Sequence, residues 1–298
     1  MRTPSTECPV VLVLPAHDEE AAVGAVVARV PARAAGHPVR CLVIDDGSTD
    51  RTAARARAAG ARVVSLGRNQ GLGAAVRRGL AEAVDSGAAA IAFCDADGEY
   101  APEELERLVA PILAGDADYV VGSRFTGSIQ HMLPHRRLGN RVLTLALRRL
   151  TRAPITDGQS GYRALSPEAA AQAQIIHDFN YAQVLTLDLL ARGARYHEVP
   201  ISYRFRETGR SFVRLHRYLV AVMPAVRRQL ATDVAPLRRR PLRARWSPPH
   251  TATGRHGPAG AVTSGSGTEC SSSYRSTSSW AGVRPDASMP SSGSSRRS

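Results

Sequence analysis

A chain of 298 residues, 43% of them hydrophobic, has material for one large domain or two small ones. Its formal net charge of +13 points to phosphorylated substrates or an anionic membrane face. No RNA-binding aromatic motif, zinc-ligand spacing or basic zipper accompanies that charge, so nucleic acid is not an expected partner.

No apolar run approaches the roughly 20 residues that span a bilayer. Residues 1–8 lack the charged-then-apolar plan of a signal peptide. The expectation is a cytoplasmic protein, soluble or peripheral on the cytoplasmic membrane face. Four scattered cysteines make no disulfide framework, and Cys41 and Cys94 sit in apolar strand contexts as reduced core thiols.

In chain order, residues 10–14 read as a buried strand that stops at Pro15, because proline cannot donate to a central ladder. Asp18, Glu19 and Glu20 then open an Ala/Val-rich helical pattern to about residue 30, with acids where the helix dipole favours them. Residues 39–44 form a second strand. The following Asp45-Asp46-Gly47-Ser48-Thr49-Asp50 supplies a turn and an N-cap for a helix to residue 59. A third strand at 62–65 leads through Asn69, Gln70 and Gly71 into a helix ending near residue 84. Gly71-Leu72-Gly73 is not a dinucleotide fingerprint: the third glycine and the strand-end acid some 20 residues on are both missing.

The next strand is the apolar run 91–94, which ends in Asp95 and Asp97. Strand residues i and i+2 point the same way, so the two carboxylates can converge beyond the strand's carboxyl end. Two hard oxygen donors there suit Mg²⁺ or Mn²⁺, with water and substrate phosphates completing the shell. Taken alone, Asp-x-Asp also fits a solvated turn.

Pro102, Glu103 and Glu104 begin a helix with proline and acids in favourable places. Residues 118–122 are a strand ending at Ser123 and Arg124. Residues 131–152 turn basic: Arg136, Arg137 and Arg141 precede a helix at 142–149, in which Leu143, Leu145 and Leu147 lie beside Arg148 and Arg149. Residues 156–163 form a polar loop dense in donors. A helix at 179–193 and a strand at 196–203 follow. Arg204, Arg206 and Arg210 come next, then a basic, apolar-faced helix at 212–231. Alternating strands and helices with short links predict an α/β domain with a doubly wound, mostly parallel sheet over residues 8–231. Residues 232–298 begin basic and become Ser/Gly/Pro-rich, the composition of a disordered tail.

Six segments in order carry a resemblance: Leu14-Pro-Ala-His-Asp-Glu19, Ile44-Asp-Asp-Gly-Ser-Thr-Asp50, Asp95-Ala-Asp97, Val121-Gly-Ser-Arg124, Thr156-Asp-Gly-Gln-Ser-Gly-Tyr-Arg163 and Glu198-Val-Pro-Ile-Ser202. Over residues 10–230 the chain resembles family 2 glycosyltransferases of the Rossmann-like GT-A fold, in particular the dolichyl- or polyprenyl-phosphate mannosyltransferase branch. The resemblance implies that Pro15, His17, Glu19, Ile44 and Asp46 line a nucleoside pocket. It implies that Asp95, Ala96 and Asp97 meet the donor's diphosphate through a metal, with Glu99 where relatives often carry a third ligand. Arg124 and Arg206 correspond to phosphate-contacting arginines. Two departures stand out: Phe212 replaces a lysine, and the segment from Gln183 lacks the acid that relatives carry, with Asp188 shifted along.

The implied activity is metal-dependent, inverting transfer from a nucleotide diphosphate sugar, GDP-mannose or a UDP-sugar, to an acceptor. A hydroxyl acceptor benefits from a positioned base worth about 10²–10⁴ in rate, and Asp157 is the candidate. A phosphate monoester, with a second pKa near 6, is already ionised and needs none. The missing acid and the surrounding arginines favour a polyprenyl phosphate at a membrane surface. A soluble or cell-wall glycan hydroxyl is the alternative acceptor, and an inert nucleotide-sugar-binding scaffold the alternative class.

Overall fold

The computed structural model describes residues 8–130, 132–176, 181–204 and 235–238. Arg206, Arg210, Phe212, the 212–231 helix and the segment after residue 238 lie outside the described residues.

Eight strands and seven helices alternate along these residues. The first half is β1 (Val10–Ala16), α1 (Val23–Ala28), β2 (Arg33–Ala34), β3 (His37–Asp45), α2 (Thr52–Ala58), β4 (Arg62–Ser65), α3 (Leu72–Asp85) and β5 (Ala90–Phe93). After a short 3₁₀ turn come α4 (Leu105–Leu113), β6 (Tyr119–Ile129), α5 (Pro134–Thr151), β7 (Arg163–Leu165), α6 (Pro167–Gln172), α7 (Ala182–Ala191) and β8 (Tyr196–Tyr203). None of the described helices is long and apolar enough to cross a membrane.

One sheet takes the order β2-β3-β1-β5-β7-β6-β8, with β4 also on β3. The ladders β4–β3–β1–β5 and β6–β8 are parallel. β7 runs antiparallel to both β5 and β6, so the sheet is mixed, and β6 regains the direction of β5. The carboxyl ends of β1, β3, β5 and β6 therefore share one edge, the edge where open α/β sheets bind ligands.

Side-chain alternation along β1 divides the core into two layers. Val10, Leu12 and Leu14 join Val26, Leu105, Leu108 and Val109 beneath α1, α2 and α4. Val11 and Val13 join Val76, Leu80, Leu185 and Leu189 beneath α3, α6 and α7. Each fully buried leucine of these layers contributes about 1.5–3 kcal/mol. Gly79 lets α3 approach: a Cβ there would stand 2.2 Å from Val13 Cγ1.

Several boundaries differ from expectation. β1 continues through Pro15, which pairs with Ile44, because the β5 ladder has already ended at Val13 and Phe93. The missing N–H thus disrupts no second ladder. β6 runs on to Ile129 through an irregularity between Ser123 and Ser128. The expected tail boundary precedes a segment that packs on the domain: Leu237 is buried against the α3, α6 and α7 layer.

Candidate active site

The loop after β1 and the loop after β3 face each other. Asp46 N donates to Ala16 O at 2.8 Å, and His17 Nδ1 lies 2.9 Å from Asp46 O. Glu19 N donates to Thr52 Oγ1 at 2.8 Å. The carboxylate of Asp46 accepts from Gln70 N at 2.7 Å and Gly71 N at 2.9 Å. It therefore braces the loop before α3 instead of capping α2, and the remaining lone pairs are available to a ligand. Gly71 has φ 94°, a left-handed conformation that glycine adopts without strain. Two of the expected pocket residues do not present side chains: Ile44 is fully buried in one core layer and Ala96 is buried in the other. Pro15 is likewise buried.

β5 delivers the acids. Its four residues are fully buried, and the chain turns at Ala96 and Asp97, so that Asp95, Asp97 and Glu99 follow the strand at the sheet edge. Burial, then the charges of Asp97 and Glu99, push the Asp95 carboxyl up to about 8, with Arg124 opposing and Glu19 adding to the rise. Burial and Asp97 also raise Glu99. This is a concentration of negative charge that calls for a cation. Glu99 does not join Asp95 and Asp97 as a ligand set: its carboxylate accepts from Tyr203 OH at 2.8 Å. Among the described residues no three acids, histidines or cysteines stand close enough to hold a metal by themselves. Two aspartate carboxylates, with water and substrate phosphate oxygens completing the shell, are a donor set that fits Mg²⁺ or Mn²⁺.

Arg124 enters from β6. Its guanidinium forms a two-pronged pair with Asp157, Nε to Oδ2 at 2.7 Å and Nη2 to Oδ1 at 2.9 Å, and its backbone N donates to Oδ2 at 3.1 Å. Both side chains are buried. Arg124 also lies over the ring of Tyr203, 5.2 Å from its centroid. Burial by itself would raise the Asp157 carboxyl, but Arg124 outweighs it and holds Asp157 below the usual range. As a general base Asp157 is therefore a poor fit: both oxygens are engaged, and the residue is fully buried. The structure makes it the orienting partner of Arg124. Asp188, the shifted acid, accepts from Arg192 Nε and from Gln174 N.

The sequence pattern does not mark Arg163, at the end of the same loop, as a site residue. It is fully buried and donates to Ser160 O at 2.8 Å, Ala182 O at 2.8 Å and Gly158 O at 3.1 Å. An arginine after an aromatic residue at the head of a buried strand was the available signal, since a buried cation requires many acceptors.

The chain's residues 11–172 match the model of glycosyl transferase family 2. An uncharacterized glycosyltransferase of Mycobacterium tuberculosis is 34% identical over 211 residues, 68% of this chain and 89% of that one. The polyprenol monophosphomannose synthase of Mycolicibacterium smegmatis is 34% identical over 210 residues, 66% of this chain and 78% of that one. The structure of glucosyl-3-phosphoglycerate synthase from Mycobacterium tuberculosis, in complex with Mn²⁺, uridine diphosphate and phosphoglyceric acid, aligns with a TM-score of 0.63 at 25% identity. That alignment covers 75% of this chain and 79% of the other. The sheet edge with its paired aspartates, the family match and these relatives agree that the chain is a glycosyltransferase of the GT-A fold and belongs to glycosyl transferase family 2.

Proposed function

We propose that the chain transfers a sugar, with inversion, from a nucleotide diphosphate sugar to a polyprenyl phosphate at a membrane surface. The observation that carries this reading is the engagement of Asp157, the candidate base, and of Asp188, the shifted acid. Asp157 is paired with Arg124 and Asp188 with Arg192, each pair buried. An acceptor that arrives already ionised requires neither.

Asp95 and Asp97 would hold Mg²⁺ or Mn²⁺, which would supply stabilisation of the charge developing on the departing nucleoside diphosphate. The loops carrying His17, Glu19 and Asp46 receive the nucleoside, with the Asp46 carboxylate accepting from a base or ribose donor. Pro15, Ile44 and Ala96 shape this pocket through backbone and core. Arg124, kept charged and directed by Asp157, faces an anionic oxygen, and Arg206 is the second arginine assigned to phosphate. The acceptor phosphate oxygen attacks the anomeric carbon from the side opposite the diphosphate, which gives inversion.

A hydroxyl acceptor is the second reading, favoured by the fold likeness to a synthase whose structure holds phosphoglyceric acid. The deciding experiment offers the chain GDP-mannose and UDP-glucose with Mn²⁺, and either polyprenyl phosphate, 3-phosphoglycerate or a soluble glycan. Label moving into the lipid, lost in chelator and reduced at least about 10²-fold in Asp97→Ala, is expected. Label moving only into a hydroxyl acceptor would replace the first reading with the second.

A further inference from the structure

Glu198 stands on β8, one strand beyond Arg124, and has no part in the mechanism above. Its carboxylate grips the start of the 156–162 loop. Thr156 N donates to Oε1 at 2.9 Å and to Oε2 at 3.0 Å, and Thr156 Oγ1 donates to Oε2. Asp157 N donates to Oε1 at 3.3 Å, and Tyr196 OH donates to the same oxygen. β6 and β8 pair in parallel, with Val121 opposite Glu198 and Ser123 opposite Pro200. The grip is therefore built on the ladder that carries Arg124. Ser123 Oγ and Thr156 Oγ1, 2.6 Å apart, tie the loop to that ladder again.

We propose that Glu198 is a positioning residue for transfer: by fixing the backbone of Thr156 and Asp157, it sets the angle at which Asp157 meets the Arg124 guanidinium. The proposal rests on the reading of Arg124 as a phosphate ligand. A carboxylate is the side chain suited to this place, because several donors converge on it and it carries only acceptors. Glutamine would turn an N–H₂ toward some of those donors. Arg163 holds the far part of the loop through Gly158 O and Ser160 O, so a change at Glu198 loosens the Arg124 end without releasing the whole loop.

The test uses the full chain with ¹⁵N-labelled arginine. The Arg124 Nε–H signal is identified by its loss in Arg124→Lys, and its solvent exchange is followed. In the wild type this proton is donated to Asp157 inside the protein, so it exchanges slowly. Glu198→Gln should speed its exchange at least about 10-fold and lower kcat/KM about 10-fold or more. Glu198→Asp, which keeps the charge, should recover part of both. Thr156→Val removes one donor and should show the same displacement to a smaller degree, and it carries the test if Glu198→Gln does not fold. An unchanged Arg124 signal in the folded variants would overturn the proposal. A changed signal with undiminished transfer would leave Glu198 as the positioner of Arg124 and remove Arg124 from transfer, which is a failure of the functional reading.

Discussion

A Cβ on Gly161 would lie 2.6 Å from Asp95 Oδ2, so the backbone of the 156–162 loop rests directly on one of the paired carboxylates. Tyr100 closes the other side, its ring 3.2 Å from the same point, and Gly161 N donates to Tyr100 OH at 2.7 Å. The alanine methyl in Gly161→Ala has nowhere to go, and the Asp95 carboxylate is the mobile neighbour. A misplacement of that size should cost about 10²-fold in kcat/KM, with a loss of about 1–3 kcal/mol in stability from overpacking. Steady-state kinetics and thermal melts on the same preparation check both. Wild-type turnover would show that the loop does not hold Asp95 in place.

Asp157 carries a pH signature. Arg124 holds its folded-state pKa below the usual range, while in the unfolded chain it titrates near 3.9. The pair's contribution is therefore complete above about pH 4 and is lost as pH falls through the folded value. Asp157→Asn leaves Arg124 buried without its counter-charge and should lose about 3–5 kcal/mol at neutral pH. Its stability should also fall less steeply in acid than that of the wild type. Denaturant titrations between about pH 2 and pH 7 decide this. Parallel curves for the two proteins would assign the acid sensitivity to other groups.

What was legible in the sequence follows from the range of each interaction. β4 at 62–65 and β8 at 196–203 have the expected bounds, because an apolar run and a two-residue alternation are local signals. Asp95 and Asp97 were legible for the same reason. β7 was not: three residues are too short to display a period, and its place between β5 and β6 is set by partners on distant strands. The resemblance implies Glu99 as a third ligand. Its actual partner, Tyr203, lies 104 residues away. The role of Asp157 was hidden in the same manner, since Arg124 is 33 residues upstream and only the β6 register brings the two together. The family resemblance implies Ile44 in the pocket, yet strand alternation turns its side chain into the core.

The end of the domain makes a separate prediction. Leu237 is buried, and its N–H donates to Arg192 O at 2.8 Å. Arg238 N donates to Gln172 Oε1 at 3.0 Å, and Gln172 Nε2 donates to Arg238 O at 3.1 Å. A chain truncated after Pro236 loses these contacts and a buried leucine, at a cost of about 2–5 kcal/mol. A chain truncated after Arg240 should melt close to the full-length protein, because the segment removed has too few aliphatic residues to build core. Comparing the three melting temperatures tests the placement of this boundary. Equal melting of the two truncated forms would mean that Leu237 contributes nothing.

The last prediction concerns α5. Leu147 is buried with Ile155 and Leu187, so the leucines expected to form one outward face are divided. The exposed apolar stripe is instead Leu138, Val142 and Leu145, which are 66%, 58% and 46% exposed. These positions follow the i, i+4, i+7 spacing of a single helix face. Arg137, Arg141, Arg148 and Arg149 are exposed along it. Apolar insertion, with attraction of about 1 kcal/mol per basic residue near an anionic surface, should give salt-sensitive peripheral binding. The full chain should sediment with anionic vesicles at low salt, and weakly with neutral vesicles or at high salt. A Leu138→Glu, Leu145→Glu double variant places acids on the exposed stripe without touching the buried Leu147. It should pellet at least about 10-fold less, since it removes apolar insertion and adds repulsion. Failure of the wild type to pellet at low salt would remove the lipid phosphate from first place among acceptors. The engaged Asp157 and Asp188 would then have to be reconciled with a hydroxyl acceptor and a base supplied from elsewhere.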